Sequence, residues 1–98
     1  MKKEKIRFVI LRETERGTLK NISKDTFDPQ IFGFSWEDFV DQVNFLSREG
    51  YITKPTYASG TIYFYGSVLT EKGEIYLENS KWYKKAYSTV KEIKDWIK

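Results

Sequence analysis

Phe45-Leu46-Ser47-Arg48-Glu49-Gly50-Tyr51-Ile52, followed after a stretch of β-forming residues by Leu69-Thr70-Glu71-Lys72-Gly73-Glu74-Ile75-Tyr76-Leu77, holds the two punctuation points that set the path of this chain. Gly50 can take up the left-handed backbone that closes a helix, so a helix ends there and a strand starts at Tyr51. Thr70 is a helix cap whose hydroxyl can accept from an amide of the turn that follows, so the strands end there and a new helix begins. Gly50, Thr70 and Gly73 are therefore read as backbone requirements and not as ligand groups.

Upstream of Gly50, Ser35 caps the helix that Gly50 ends, and Asp38 answers three residues on in the manner of a capping box. Glu37 and Asp38 complement the positive helix start. The helix is expected to run to about Glu49, with Phe39, Val43 and Leu46 as its buried stripe and Trp36 alongside. Further upstream, Asp28 before Pro29 predicts a short helix over Pro29 to Phe32, ended by Gly33. Lys3 to Arg16 reads as a first helix, because Ile6, Val9, Ile10 and Glu13 recur at helical spacing and Gly17 offers a stop. Phe8 and Leu11 widen its apolar face.

Downstream of Gly50, Tyr51 to Tyr57 and Thr61 to Leu69 are rich in Tyr, Ile, Thr and Val and flank Ala58-Ser59-Gly60, so they read as a hairpin. Pro55 confines the first of these strands to a sheet edge. The helix that starts at Thr70 is expected to be anchored by Ile75 and Leu77. Ser80 is a cap for a last helix from Lys81 to Lys98, where Trp82, Ala86, Val90, Ile93 and Ile97 fall on one face and Lys84, Lys91 and Lys98 on the other. With no repeat, low-complexity tract or Pro/Gly/Ser-rich linker, residues 1–98 read as one α+β domain with three N-terminal helices, a β-hairpin and C-terminal helices.

That order is the order of a winged helix-turn-helix. The quoted run, with Tyr65 between its halves, resembles the leucine, glutamate-glycine-tyrosine-isoleucine, hairpin, leucine-threonine-x-x-glycine run of PadR-like and MarR-like regulators over about a third of the chain. The whole chain, including its ending Lys91-Glu92-Ile93-Lys94-Asp95-Trp96-Ile97-Lys98, resembles the small YjcQ family of bacterial and prophage proteins. The resemblance implies a winged-helix fold and a DNA-binding transcription regulator, with the third helix in the major groove and the wing at an adjacent minor groove or the backbone.

Composition narrows the chemistry. The 98 residues include no Cys and no His, which excludes disulfides, thiolate or imidazole metal sites and a histidine base. No phosphate-binding or dinucleotide-type glycine loop is present, and nothing sets a nucleophile beside a base, so neither an enzyme activity nor a cofactor is expected. No apolar run approaches the ~20 residues of a membrane helix. A cytoplasmic protein without a membrane partner is the expectation.

Charge is uneven along the chain. Residues 1–20 carry seven Lys or Arg against three acids, and residues 21–50 carry two against six. Residues 51–80 are nearly balanced, and residues 81–98 carry six Lys against two acids. The outward positions of the third helix are expected to be Glu37, Asp38, Asp41, Gln42, Asn44 and Arg48, half of them carboxylates. Gln42 and Asn44 have the chemistry to read adenine and Arg48 to read guanine or hold phosphate, with Lys54 as the one base near the wing's start. The carboxylates crowd the N-terminal half of the helix, where they oppose a phosphate-lined groove in which affinity rests on neutralising phosphates.

Two readings therefore stand. One is a regulator that holds double-stranded DNA through Gln42, Asn44, Arg48 and Lys54, with support from terminal lysines. The other is a protein-protein interaction module that meets a basic partner through Glu37, Asp38 and Asp41. In related winged helices the first and last helices often form the dimer interface, so the resemblance also implies a homodimer through those faces.

Overall fold

The structure, a computed structural model, describes residues 3–80. The predicted last helix over Lys81 to Lys98, with its lysines and aromatic stripe, lies outside them, as does Lys2. The elements in chain order are α1 (Lys3–Arg16), β1 (Asn21–Ser23), α2 (Pro29–Phe32), α3 (Trp36–Arg48), β2 (Thr56–Ala58), β3 (Thr61–Tyr63) and α4 (Glu71–Asn79). They form a mixed α+β fold with a small antiparallel sheet of order β1-β3-β2.

Six helix boundaries have a side-chain or glycine cause. Asp28 accepts from the Gln30 amide at 2.9 Å to start α2, and Gly33 ends it at φ 83°. Ser35 accepts from the Asp38 amide at 3.0 Å to start α3. Gly17 and Gly50 sit at φ 70° and 81° just beyond α1 and α3, where any Cβ would be strained. Thr70 accepts from the Gly73 amide at 3.2 Å to start α4.

The hairpin differs from its expected extent. Ladder pairing is confined to β2 and β3, in the register Ala58↔Thr61, Tyr57↔Ile62 and Thr56↔Tyr63. The turn is Ser59-Gly60 alone, with φ 49° and 76°, the double positive φ of a tight two-residue hairpin. Toward the root, Pro55 has no amide to give, and a turn in which the Ser67 amide donates to the Phe64 carbonyl bends the returning chain at Gly66. Pairing resumes only at the Ile52↔Leu69 bridge and the Thr53 amide bonded to the Val68 carbonyl at 3.0 Å.

β1 has no counterpart in the sequence reading. Three residues are too short to show a period, and Asn21-Ile22-Ser23 are extended because they pair with Tyr63, Ile62 and Thr61. A Ser23–Thr61 hydroxyl contact of 2.7 Å and the Lys24 amide bonded to Gly60 at 2.9 Å extend that seam to the hairpin tip.

The core gathers round α1, which buries Ile6, Phe8, Val9, Ile10, Leu11, Glu13 and Thr14 and exposes no apolar side chain. Phe39, Val43 and Leu46 of α3 meet it, as expected, with Ile52, Ile62, Phe64 and Leu77 completing the cluster. Two expectations are corrected. Ile75 is half exposed, and Leu77 with the partly buried Tyr76 holds α4 down instead. Gln42, expected on the outward face, is buried, because α1 crosses α3 at that level and the Arg7 guanidinium donates to its amide oxygen at 2.6 Å.

An aromatic group under α2 closes the other end of the core. Phe27 stacks on Phe32 with ring centroids 4.3 Å apart and meets Trp36 edge-on at 5.5 Å. Both arrangements are favoured by the ring quadrupoles.

Gly73 is the tightest glycine in the fold. A Cβ there would lie 2.2 Å from the Tyr51 carbonyl oxygen, a backbone atom that cannot rotate away. Gly73→Ala should therefore destabilise the protein by about 1–3 kcal/mol, despite alanine's better helix propensity, as for other overpacking changes. A urea midpoint equal to or above that of the wild type would show that α4 does not dock on Tyr51 this closely.

Candidate functional site

The exposed side of α3, and the seam where it meets the hairpin, hold most of the polar groups in question. α3 is fixed from behind by Arg7, whose guanidinium carbon also lies 3.8 Å from the centroid of the Phe45 ring. It is fixed from the front by Tyr57 of β2, whose hydroxyl donates to Asn44 Oδ1 at 2.6 Å. Partial burial of that phenol against the helix raises its pKa above the ordinary 10.0, because the charged form is less well solvated there, although the residue as a whole stays exposed.

The Tyr57–Asn44 bridge stands between two stretches of different character. On the hairpin-tip side, Trp36 and Val40 of α3 face Tyr57, Ala58, Ser59, Gly60, Thr61 and Ile62 across an open, mainly apolar groove. Glu37 and Asp41, each one residue along α3 from Trp36 and Val40, are exposed beside it, with Asp38 exposed as well. On the hairpin-root side, Asn44, Ser47, Arg48 and Lys54 line a second, more polar cleft. There the Arg48 Nε donates to Glu49 at 3.2 Å and the guanidinium lies 5.6 Å from the Phe45 centroid.

The proposed DNA-reading residues are thus divided. Asn44, Arg48 and Lys54 come together at one cleft, and Gln42 is removed from it into the α1–α3 interface. Asn44 has its amide oxygen committed to Tyr57, which competes with the paired donor and acceptor geometry that adenine readout uses. Glu37, Asp38 and Asp41, the alternative set, all remain on the surface.

Lys24 was missed by sequence reading. Its backbone joins the hairpin tip through Gly60, and its Cβ lies 3.9 Å from where a Gly60 Cβ would stand. With β1 invisible in the sequence, no local signal connects position 24 with position 60.

Among the described residues, no group of three or more His, Cys, Asp or Glu side chains is placed to hold a metal ion. No helix among them is long and apolar enough to cross a membrane. Glu13, buried in α1, accepts from the Thr18 hydroxyl in the turn that follows Gly17.

Comparison with known proteins gives two matches. The family model described as "YjcQ protein" matches residues 8–96. The "Uncharacterized protein YjcQ" of Bacillus subtilis (strain 168) is 44% identical over 100 residues, covering 100% of both chains. No solved structure gives a significant match.

Because the fold favours the protonated Tyr57, the folded state holds that proton to higher pH than the unfolded chain. Its contribution to stability is complete below pH 10.0 and is lost as the pH rises through the elevated folded value. Thermal melts taken across this range should fall more steeply for the wild type than for Tyr57→Phe. Parallel curves would mean that the phenol is not desolvated against α3.

Proposed function

We propose that this chain, which belongs to the YjcQ family, is a winged-helix protein-interaction module whose α3 face meets a basic partner. The order α1-β1-α2-α3-β2-β3 with sheet order β1-β3-β2 supports the winged-helix reading: α3 takes the place of the recognition helix and the Ser59-Gly60 hairpin that of the wing. The observation that carries the interaction reading is the exposed start of α3. Glu37, Asp38 and Asp41 are all on the surface there, outside the Arg12–Glu15 and Arg48–Glu49 ion pairs.

Electrostatics separates this reading from the DNA reading. A helix that presents three carboxylates toward a groove lined by phosphates adds repulsion where DNA-binding proteins gain their affinity. The same carboxylates attract lysine and arginine side chains and disfavour acidic partners, which gives a protein interface selectivity by charge.

A second reading has its own support at the other end of α3. Asn44, Ser47, Arg48 and Lys54 form a polar cleft with two cations, and Lys24 stands at the hairpin tip, positions from which DNA phosphates are reached in winged helices. DNA binding through these residues is the alternative function.

Charge reversal on α3 separates the two. In an amide-shift titration at roughly 50 mM salt, where non-specific binding with Kd of ~10⁻⁴ M is visible, the wild type should show no response to a mixed-sequence DNA duplex. Glu37→Lys with Asp41→Lys should gain duplex affinity and lose a basic protein partner that the wild type retains. Wild-type shifts at Asn44, Arg48, Lys54 and Lys24 on adding the duplex would replace the interaction reading with the DNA reading.

A further inference from the structure

The groove beside the acidic residues has features that specify the shape of its occupant as well as its charge. β2 is an edge of the sheet, and all three of its residues are exposed. In a two-residue hairpin the pair flanking the turn, here Ala58 and Thr61, exchanges both ladder bonds, so the next residue, Tyr57, directs its amide and carbonyl toward the open edge. The groove formed by Trp36, Val40 and the hairpin residues from Tyr57 to Ile62 adjoins that strand. An unpaired edge next to an apolar groove is the arrangement used in strand addition, where backbone bonds hold the segment and alternate side chains are selected by pockets.

Charge complementarity names the rest. Glu37 and Asp41 are exposed one step along α3 from the two groove residues Trp36 and Val40. Trp36 and Tyr57 add aromatic rings, whose faces attract cations. We infer that the groove between α3 and β2 binds an extended segment of a protein partner that presents apolar residues and lysine or arginine in turn along the one face directed at α3. The apolar side chains enter between Trp36, Val40 and Tyr57, the cations lie along Glu37 and Asp41, and the backbone pairs with Tyr57. This rests on the acidic-face reading and adds to it the conformation of the partner and its place of contact.

The test uses the full chain and three peptides of about eight residues that carry serine at every second position and, at the positions between, valine and lysine in turn, lysine alone, or valine and glutamate in turn, followed by amide shifts and the Trp36 indole signal. The valine–lysine peptide should shift the Trp36 indole and the amides of Val40, Tyr57 and Ala58, and the other two should not. Val40→Lys and Glu37→Gln with Asp41→Asn should each abolish those shifts while leaving the rest of the spectrum in place.

Equal responses to both lysine peptides, confined to Glu37, Asp38 and Asp41, would overturn the groove inference and leave the acidic-face reading standing. Binding of the valine–glutamate peptide, or of no peptide, would also overturn the inference. DNA-duplex shifts at Trp36 and Val40 would overturn it together with the acidic-face reading.

Discussion

The contact on which this architecture turns is the one between the end of α3 and the start of α4. The Tyr51 carbonyl accepts the Thr70 amide at 3.1 Å, the Thr70 hydroxyl donates to the Gly50 carbonyl, and Gly73 passes so close to Tyr51 that no side chain would fit. Lys72 adds its ammonium to the Glu49 carbonyl at 2.8 Å and lies 4.5 Å from the centroid of the Tyr51 ring. The carbonyls of the three residues that follow α3 are thus bonded by residues at the start of α4. The chain that leaves at residue 51 must return at residue 70, and the segment between becomes a hairpin projecting beside α3.

That clasp sets where the hairpin starts, and the Tyr57–Asn44 hydrogen bond and the Ile22–Ile62 pairing set the direction it takes. The result is a seam along α3 with an apolar groove and carboxylates toward the hairpin tip and a polar cleft with Arg48 and Lys54 toward its root. Such a division of charge within one surface favours a partner whose own charge is arranged to match, since like-charge juxtaposition is costly and opposite charge steers encounter. Arg7, although it belongs to the basic N-terminal stretch, is held in the interior seam between α1 and α3, where a cation over the Phe45 ring and a bond to Gln42 occupy it.

Residues whose role depends on one turn of chain were legible in advance. Ser35, Asp28, Thr70, Gly33 and Gly50 act where their local chemistry indicated, because caps and left-handed stops need only their immediate neighbours. The likeness to the YjcQ family was legible on the chain as a whole, including its ending from Lys91, and the matched residues, 8–96, span most of it. The carboxylates of α3 were legible as a surface because Glu37, Asp38 and Asp41 lie away from the Phe39-Val43-Leu46 stripe.

Gln42 shows where such reasoning stops. Its place on the helical wheel leaves it beside the buried stripe, and only the crossing of α1 decides that the interface extends to cover it. Ile75 and Leu77 have similar apolarity in the sequence, and the packing of α4 on its neighbours buries one and exposes the other. β1, the Lys24 position at the hairpin tip and the Tyr57–Asn44 bridge all join residues distant in the chain, and no periodicity or capping signal records such pairs. The sequence by itself determined the capped and glycine-closed helix ends, the place of the hairpin turn to within a residue and the sign of the charge on α3, since each follows from the conformational preference or ionisation of single residues. Tertiary structure decided which polar groups reach the surface and which of them share a groove, because burial depends on the elements that pack from outside the local chain.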